Sequence, residues 1–281
     1  LWKTSMKTIL DKNNWTLTID EDIKKLTQEQ LFEVAKLINR HFVVIFKNQN
    51  LTIEDELRIT STIGKVKLDH GKNEEQRKAI LLQPGVLRVT GEKNEDGNIG
   101  LFGHNEVLDW HTHHTSSKFR YPFVWLYSIK GSKGSKTSWI NQELSYKDLS
   151  NEMKDKLENI KYVSGNEYGR FSDMKIGHSS LHKENPMKII YTNKENKKGL
   201  YFPFLQVFDV IEGATKDEWK ELYNFLIKHC TQEKFIYHHN WQDNDLVISE
   251  QWLSIHKRWP FDNMKDRLLH RIAFDDSKAY E

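Results

Sequence analysis

The chain has 281 residues and thirteen histidines, and the spacing of those histidines decides which of them could do chemistry. His41, His70, His178, His182 and His229 stand alone, the usual mark of a surface or hydrogen-bonded histidine. His238 and His239 are neighbours in a predicted strand, so their side chains leave opposite faces and do not ligate together. The segment Leu108-Asp-Trp-His-Thr-His-His114 is different. On a strand, His111 and His113 project from one face two positions apart, as a pair of metal ligands must. Neutral imidazole nitrogens suit Fe, Zn, Cu and Ni. A third ligand has to come from far along the chain, and His256, 145 residues after His111, is the candidate. The competing reading of His-x-His is an exposed polar face. Spacing alone does not choose between them.

Ligands so far apart need a scaffold that returns the chain to the same place, and the sequence predicts strands for that purpose. Thr27-Gln-Glu-Gln30 reads as a helix start, with Thr27 as N-cap and Gln30 completing a capping box. Leu31, Val34, Ala35 and Ile38 follow at helical spacing. Residues 41–46, β-branched and aromatic, read as a buried strand, and 52–63 as a second helix stopped by Gly64. Further on, short apolar runs dominate: 86–90, 123–129, 201–204, 246–248 and 268–274. Helical stretches interrupt them near 141–162 and 216–229. The expectation is a mainly β fold, sandwich or barrel, with flanking helices. No linker or repeat divides the chain, so 6–281 read as one domain. Met6 reads as the natural start and 1–5 as an expression remnant.

Composition narrows the partners. With 42 Lys and Arg against 40 Asp and Glu, the net charge of +2 gives no global field for nucleic acid or an anionic membrane. Cys230 is the single cysteine, so neither an intrachain disulfide nor a thiolate metal cluster can form, which fits a reducing compartment. No run of 18 apolar residues exists to make a transmembrane helix. Nine Trp, ten Tyr and 14 Phe are far too many for a disordered chain. A soluble, cytoplasmic protein is the expectation, with a homo-oligomer left open.

Taken in order, these residues resemble the TauD/TfdA family of Fe(II)- and 2-oxoglutarate-dependent dioxygenases. Trp110-His-Thr-His113 stands where the family carries Trp-His-x-Asp. Gly134-Ser-Lys-Thr137 and Ser145-Tyr-Lys-Asp-Leu-Ser150 are similar to its Gly-Gly-Asp-Thr and the helix after it. The segment 241–248 resembles the strand before the distal histidine, here His256. Arg267-Leu-Leu-His-Arg271 resembles the closing Arg-x-x-x-Arg, its first arginine 11 residues after His256. The likeness runs from Thr16 to Phe274.

The resemblance implies a double-stranded β-helix, or jelly roll, holding one iron, with 2-oxoglutarate chelating it as co-substrate. It implies that Arg267 grips the distal carboxylate of 2-oxoglutarate, with Thr137 as an added hydroxyl donor. Guanidinium suits that task because it binds carboxylate through two parallel hydrogen bonds. It also implies that Arg271 reaches toward an anionic substrate. On a strand Arg267, Leu269 and Arg271 share a face, whereas His270 is out of phase and reads as structural. The implied reaction is hydroxylation, or another C–H oxidation, of a small molecule.

The sequence departs from the family at one position: the metal-binding carboxylate is replaced by His113. Asp109 and Glu106 precede His111 and do not occupy the ligand position. Three outcomes stay open. His113 ligates, giving a three-histidine site one charge unit more positive and slower to activate oxygen. Or it turns away and leaves a vacant position, the arrangement associated with halogenation, though a bulky imidazole argues against that version. Or oxidation is lost, and a non-catalytic metal or ligand-binding protein survives on the same fold. A three-histidine face also takes Zn, Ni or Cu readily.

Overall fold

The computed structural model describes residues 6–71, 73–113, 121–165 and 186–281. His114, His178, His182 and residues 1–5 lie outside them. The first helix, Gln28–His41, begins as its sequence dictates: Thr27 accepts from the Gln30 backbone, and the Gln30 side chain returns the bond. The second, Ile53–Ile63, opens with the same reciprocal contact between Thr52 and Asp55 and ends at Gly64. Both helices lay an apolar stripe, including Leu31, Val34, Ile38, Ile59 and Ile63, on one face of the larger sheet.

Among the described residues that sheet has eight strands. Its central order runs Val43–Phe46, Leu246–Glu250, Phe123–Lys130, Leu268–Phe274 and Val86–Val89. Facing it is a four-stranded sheet ordered Ile236–Asn240, Lys136–Asn141, Ser254–Arg258 and Leu108–His111. From Val86 to His111 to Phe123 to Lys136, and again from Ile236 to Leu246 to Ser254 to Leu268, successive strands alternate between the two sheets. That alternation is a double-stranded β-helix, as expected. Strand period explains the burial of both faces. Val44 and Phe46 pack under the helices, while Val43 and Ile45 face the space between sheets with Trp139, Trp241, Val247 and Leu269. On the small sheet, Ile140 and Ile255 turn outward to a third core with Trp219, Tyr223 and Leu226 of the helix Lys216–Cys230. Trp139 and His256 then point inward. Each such fully buried side chain contributes on the order of 1.5–3 kcal/mol.

Three local expectations needed correction. The strand predicted over 41–46 begins only at Val43, because His41 closes the helix and Phe42 turns the chain at a φ of 61°. The stretch 141–162 is two helices, Gln142–Lys147 and Asn151–Glu158, each with its own N-cap, Asn141 and Ser150, and then the strand Lys161–Ser164. Residues 201–204 form no strand. The Gln142 side-chain amide takes both backbone groups of Phe202, donating to its carbonyl at 2.9 Å and accepting from its N–H at 3.0 Å. A short helix, Glu74–Ile80, capped by Asn73, was not anticipated. No helix of the described residues is long and apolar enough to cross a membrane.

Candidate functional site

His256 and His111 are 145 residues apart in sequence and directly opposite in the register of neighbouring strands of the small sheet. Their ring centroids lie 4.2 Å apart. His113 completes the group, its ring 5.3 Å from His111 and 4.8 Å from His256. The three potential ligand atoms all lie within 4.8 Å of one another. His111 Nδ1 is 2.6 Å from the carbonyl oxygen of Asp109. A carbonyl only accepts, so Nδ1 carries the proton and Nε2 the lone pair. Burial pushes the His111 imidazole down to about 4, and burial followed by the proximity of His111 holds His256 well below the usual histidine value. Both rings are therefore neutral near pH 7, the form that binds metal.

The strand Leu108–His111 stops at the first of these histidines, so regular pleating does not place His113. Two glutamines do. Gln206 accepts from the Thr112 N–H at 2.8 Å and donates to its carbonyl at 2.7 Å, standing in for a strand neighbour. The Gln251 side-chain oxygen accepts from the Thr112 hydroxyl at 3.2 Å and from the His113 N–H at 3.3 Å. The acids nearby are engaged elsewhere. Asp109 pairs with Lys257 at 3.1 Å, and Glu106 with His104 at 3.0 Å. Among the described residues no carboxylate belongs to the cluster.

All six residues singled out from the sequence, His111, His113, Thr137, His256, Arg267 and Arg271, line one cavity between the sheets. Phe102, Leu126 and Leu269 supply apolar wall. Arg267 is 2% exposed, and burial followed by the nearby Arg258 charge pushes its guanidinium down to about 9. Among the described residues its Nη1 meets only the Met264 sulfur at 3.7 Å, and its Nε has no partner. A buried cation without an anion is costly. Arg271 is also buried, and its charge is felt by His111, His256, Lys67 and His70. It thus links the histidine cluster to a second cationic group on the segment that runs alongside, where the Lys67 N–H donates to the Ala273 carbonyl at 2.8 Å.

Sequence reasoning missed Gln206, Gln251, Arg258 and Lys67. Arg258 alone carried a signal, standing two residues after His256 and therefore on the same strand face. It gathers the preceding loop, donating to the carbonyls of Phe102, His104 and Glu106. Three histidines outside the cluster have ordinary partners. His238 contacts Ser138 at 2.6 Å and Glu233 at 2.8 Å, while His239 points elsewhere to Asp245 at 3.0 Å. His270 pairs with buried Glu56 at 2.6 Å, in keeping with a structural role.

Comparison with known proteins shows which family this jelly roll belongs to. A family model described as "Taurine catabolism dioxygenase TauD, TfdA family" matches residues 16–273. The chain belongs to the TauD/TfdA family, whose members are dioxygenases that use Fe(II) and 2-oxoglutarate. It is 22% identical over 262 residues to an alpha-ketoglutarate-dependent 2,4-dichlorophenoxyacetate dioxygenase of Burkholderia sp. (strain RASC), covering 88% of this chain and 86% of the relative. It is also 22% identical to pentalenolactone F synthase of Streptomyces avermitilis, over 88% of this chain and 86% of that protein. Among solved structures, AAD-2 in complex with Mn(II) and N-oxalylglycine superposes with a TM-score of 0.76 at 17% identity, covering 96% of this chain and 97% of that one. A taurine dioxygenase from Burkholderia xenovorans gives the same TM-score at 18% identity, over 96% and 89% of the chains.

Proposed function

We propose that this chain oxidises a small anionic molecule, by hydroxylation, with Fe(II) held by His111, His113 and His256 and 2-oxoglutarate as co-substrate. The observation that carries the reading is the pairing, in one cavity, of three clustered imidazoles with the buried, anion-lacking guanidinium of Arg267. The donor set fits both groups: neutral nitrogens for a divalent metal, and a cationic fork for a carboxylate. When bound, iron and 2-oxoglutarate supply the activation of dioxygen, in the overall conversion of 2-oxoglutarate, O2 and R–H to succinate, CO2 and R–OH.

The chain's own residues bind and orient. The Asp109 carbonyl fixes the His111 tautomer, and the two glutamines hold the backbone of Thr112 and His113. Arg267 takes the distal carboxylate of the co-substrate, with Thr137 beside it. Arg271, assisted by the nearby charge of Lys67, draws an anionic substrate toward the histidines. Phe102, Leu126 and Leu269 keep the cavity dry, which strengthens each of these contacts.

The lack of a carboxylate in the cluster favours a second reading, a metal and 2-oxoglutarate binding protein without turnover. It favours a halogenase-like site less, since the His113 ring lies 4.8 Å from that of His256. Anaerobic addition of Fe(II) and 2-oxoglutarate should give the weak visible charge-transfer band of a chelate. Succinate release under air then identifies an oxygenase. A band without succinate, across a panel of small carboxylates and sulfonates, assigns the binding protein. No band at all refutes both.

A further inference from the structure

Thr137 lines the cavity from the strand Lys136–Asn141, and its Oγ1 accepts a hydrogen bond from the Trp241 indole N–H at 2.9 Å. An indole N–H only donates, so this contact does not use the threonine's own proton. That single proton meets no acceptor among the described residues. The two guanidiniums nearest in role, Arg258 and Arg267, line the same cavity and also only donate. Trp241 is itself fixed. It is fully buried, its backbone N–H donates to the Ser135 carbonyl at 3.0 Å, and its ring stands edge-on to His239, centroids 4.7 Å apart. His239 is the register partner of Thr137 and is held in turn by Asp245. The indole cannot swing away without disturbing that chain of contacts.

We infer that Trp241 is a positioning residue for the co-substrate: its N–H locks Thr137 Oγ1 as an acceptor and thereby aims the hydroxyl proton at the distal carboxylate of 2-oxoglutarate. The inference rests on the cavity reading proposed above. Donation into the hydroxyl oxygen also polarises its O–H, making it a better donor. A phenylalanine at 241 fills most of the same space but leaves the hydroxyl free to rotate.

The test compares dissociation constants of the metal-loaded, anaerobic protein for 2-oxoglutarate and for pyruvate, which keeps the chelating head and lacks the tail. Thr137→Val should weaken 2-oxoglutarate about 10- to 150-fold, the range for a hydrogen bond to a charged group. Trp241→Phe should weaken it roughly 3- to 10-fold, a fraction of that bond. Pyruvate and metal affinity should not change. In the Thr137→Val background, Trp241→Phe should add no further loss. If Trp241→Phe fails to fold, benzothienylalanine at 241 replaces only the N–H by sulfur and makes the same test. An unchanged 2-oxoglutarate constant in Trp241→Phe, with Thr137→Val weakened, overturns the inference and leaves the cavity reading intact. A loss that extends to pyruvate, or that multiplies with Thr137→Val, overturns it in favour of mere packing. If neither Thr137→Val nor Arg267→Ala weakens 2-oxoglutarate, the cavity reading fails and takes the inference with it.

Discussion

Two regions of this protein bury the same residue types and treat them in opposite ways. Under the helices, His270 is buried against Glu56, whose other oxygen accepts from the Trp125 indole at 2.8 Å. Beside Trp241 on the small sheet, His239 is likewise buried against Asp245, which also binds Lys47 at 2.7 Å. Each buried imidazole has its acid. In the cavity, His111, His113 and His256 come together with no acid in their cluster among the described residues, and the Nδ1 of His256 has no partner among them. Within the cavity itself two arginines differ. Arg258 donates to three loop carbonyls, whereas Arg267 meets a thioether sulfur. At the two structural histidines the fold supplies an acid, and at the histidine cluster the described residues supply none.

The sharpest way to break this contrast is to remove a ligand. His256→Ala should abolish one-to-one metal uptake while the protein still folds; retained stoichiometric metal, measured on the purified variant, moves the distal ligand elsewhere. Next comes Arg267→Ala. Truncating one partner of a buried charge-assisted pair costs about 2–5 kcal/mol, or roughly 30- to several-thousand-fold in affinity. Calorimetry with 2-oxoglutarate should register that loss with metal affinity nearly intact, and an unchanged constant would shift the anchor to Arg271.

Glu56→Ala probes the opposite region. Breaking a buried pair and stranding His270 should cost about 3–5 kcal/mol of folding stability in denaturant titrations. Metal affinity per folded molecule should hold; a parallel loss of metal binding would erase the distinction between the two regions.

The mildest change gives the cluster the acid it lacks. Burial already holds His111, at about 4, and His256 neutral, so those two ligands lose little metal affinity to protons above pH 5. An imidazole ligand must bind as the neutral base, and its ordinary titration falls near 6.5, whereas a carboxylate stays charged down to about pH 4. His113→Asp should therefore flatten the fall in metal affinity as pH drops from 7 to 5. The added negative charge should also let the variant release succinate faster than the wild type, blunted by the shorter reach of Asp. Brisk turnover by the wild type and none by His113→Asp would make the imidazole part of a specialised mechanism.

Much of the scaffold was legible because its causes are local. The capping box at Thr27 is a contact between residues three apart, and the strand Leu268–Phe274 announces itself through apolar residues at both ends. Residues 201–204 misled because an apolar run records burial without saying which group takes the backbone hydrogen bonds. Here a glutamine side chain takes them at Phe202. The same device at Thr112, with Gln206, is equally invisible in sequence.

By itself, the sequence determined the chemistry available: which histidines stand two apart, which arginine follows His256 at the right distance, and that His113 stands where an acid was expected. Its order of motifs was enough to identify the fold and the family. Only the tertiary structure decided that His256 lies opposite His111, that the six candidates line one cavity, and that neither Asp109 nor Glu106 reaches it. It alone decided that Trp241 turns the Thr137 hydroxyl into a committed donor. The physical reason is separation. Contacts such as Gln206 with Thr112, 94 residues apart, and Gln251 with Thr112, 139 apart, depend on strand register and on packing across two sheets. Those are set by the whole core at once, and local spacing carries no record of them.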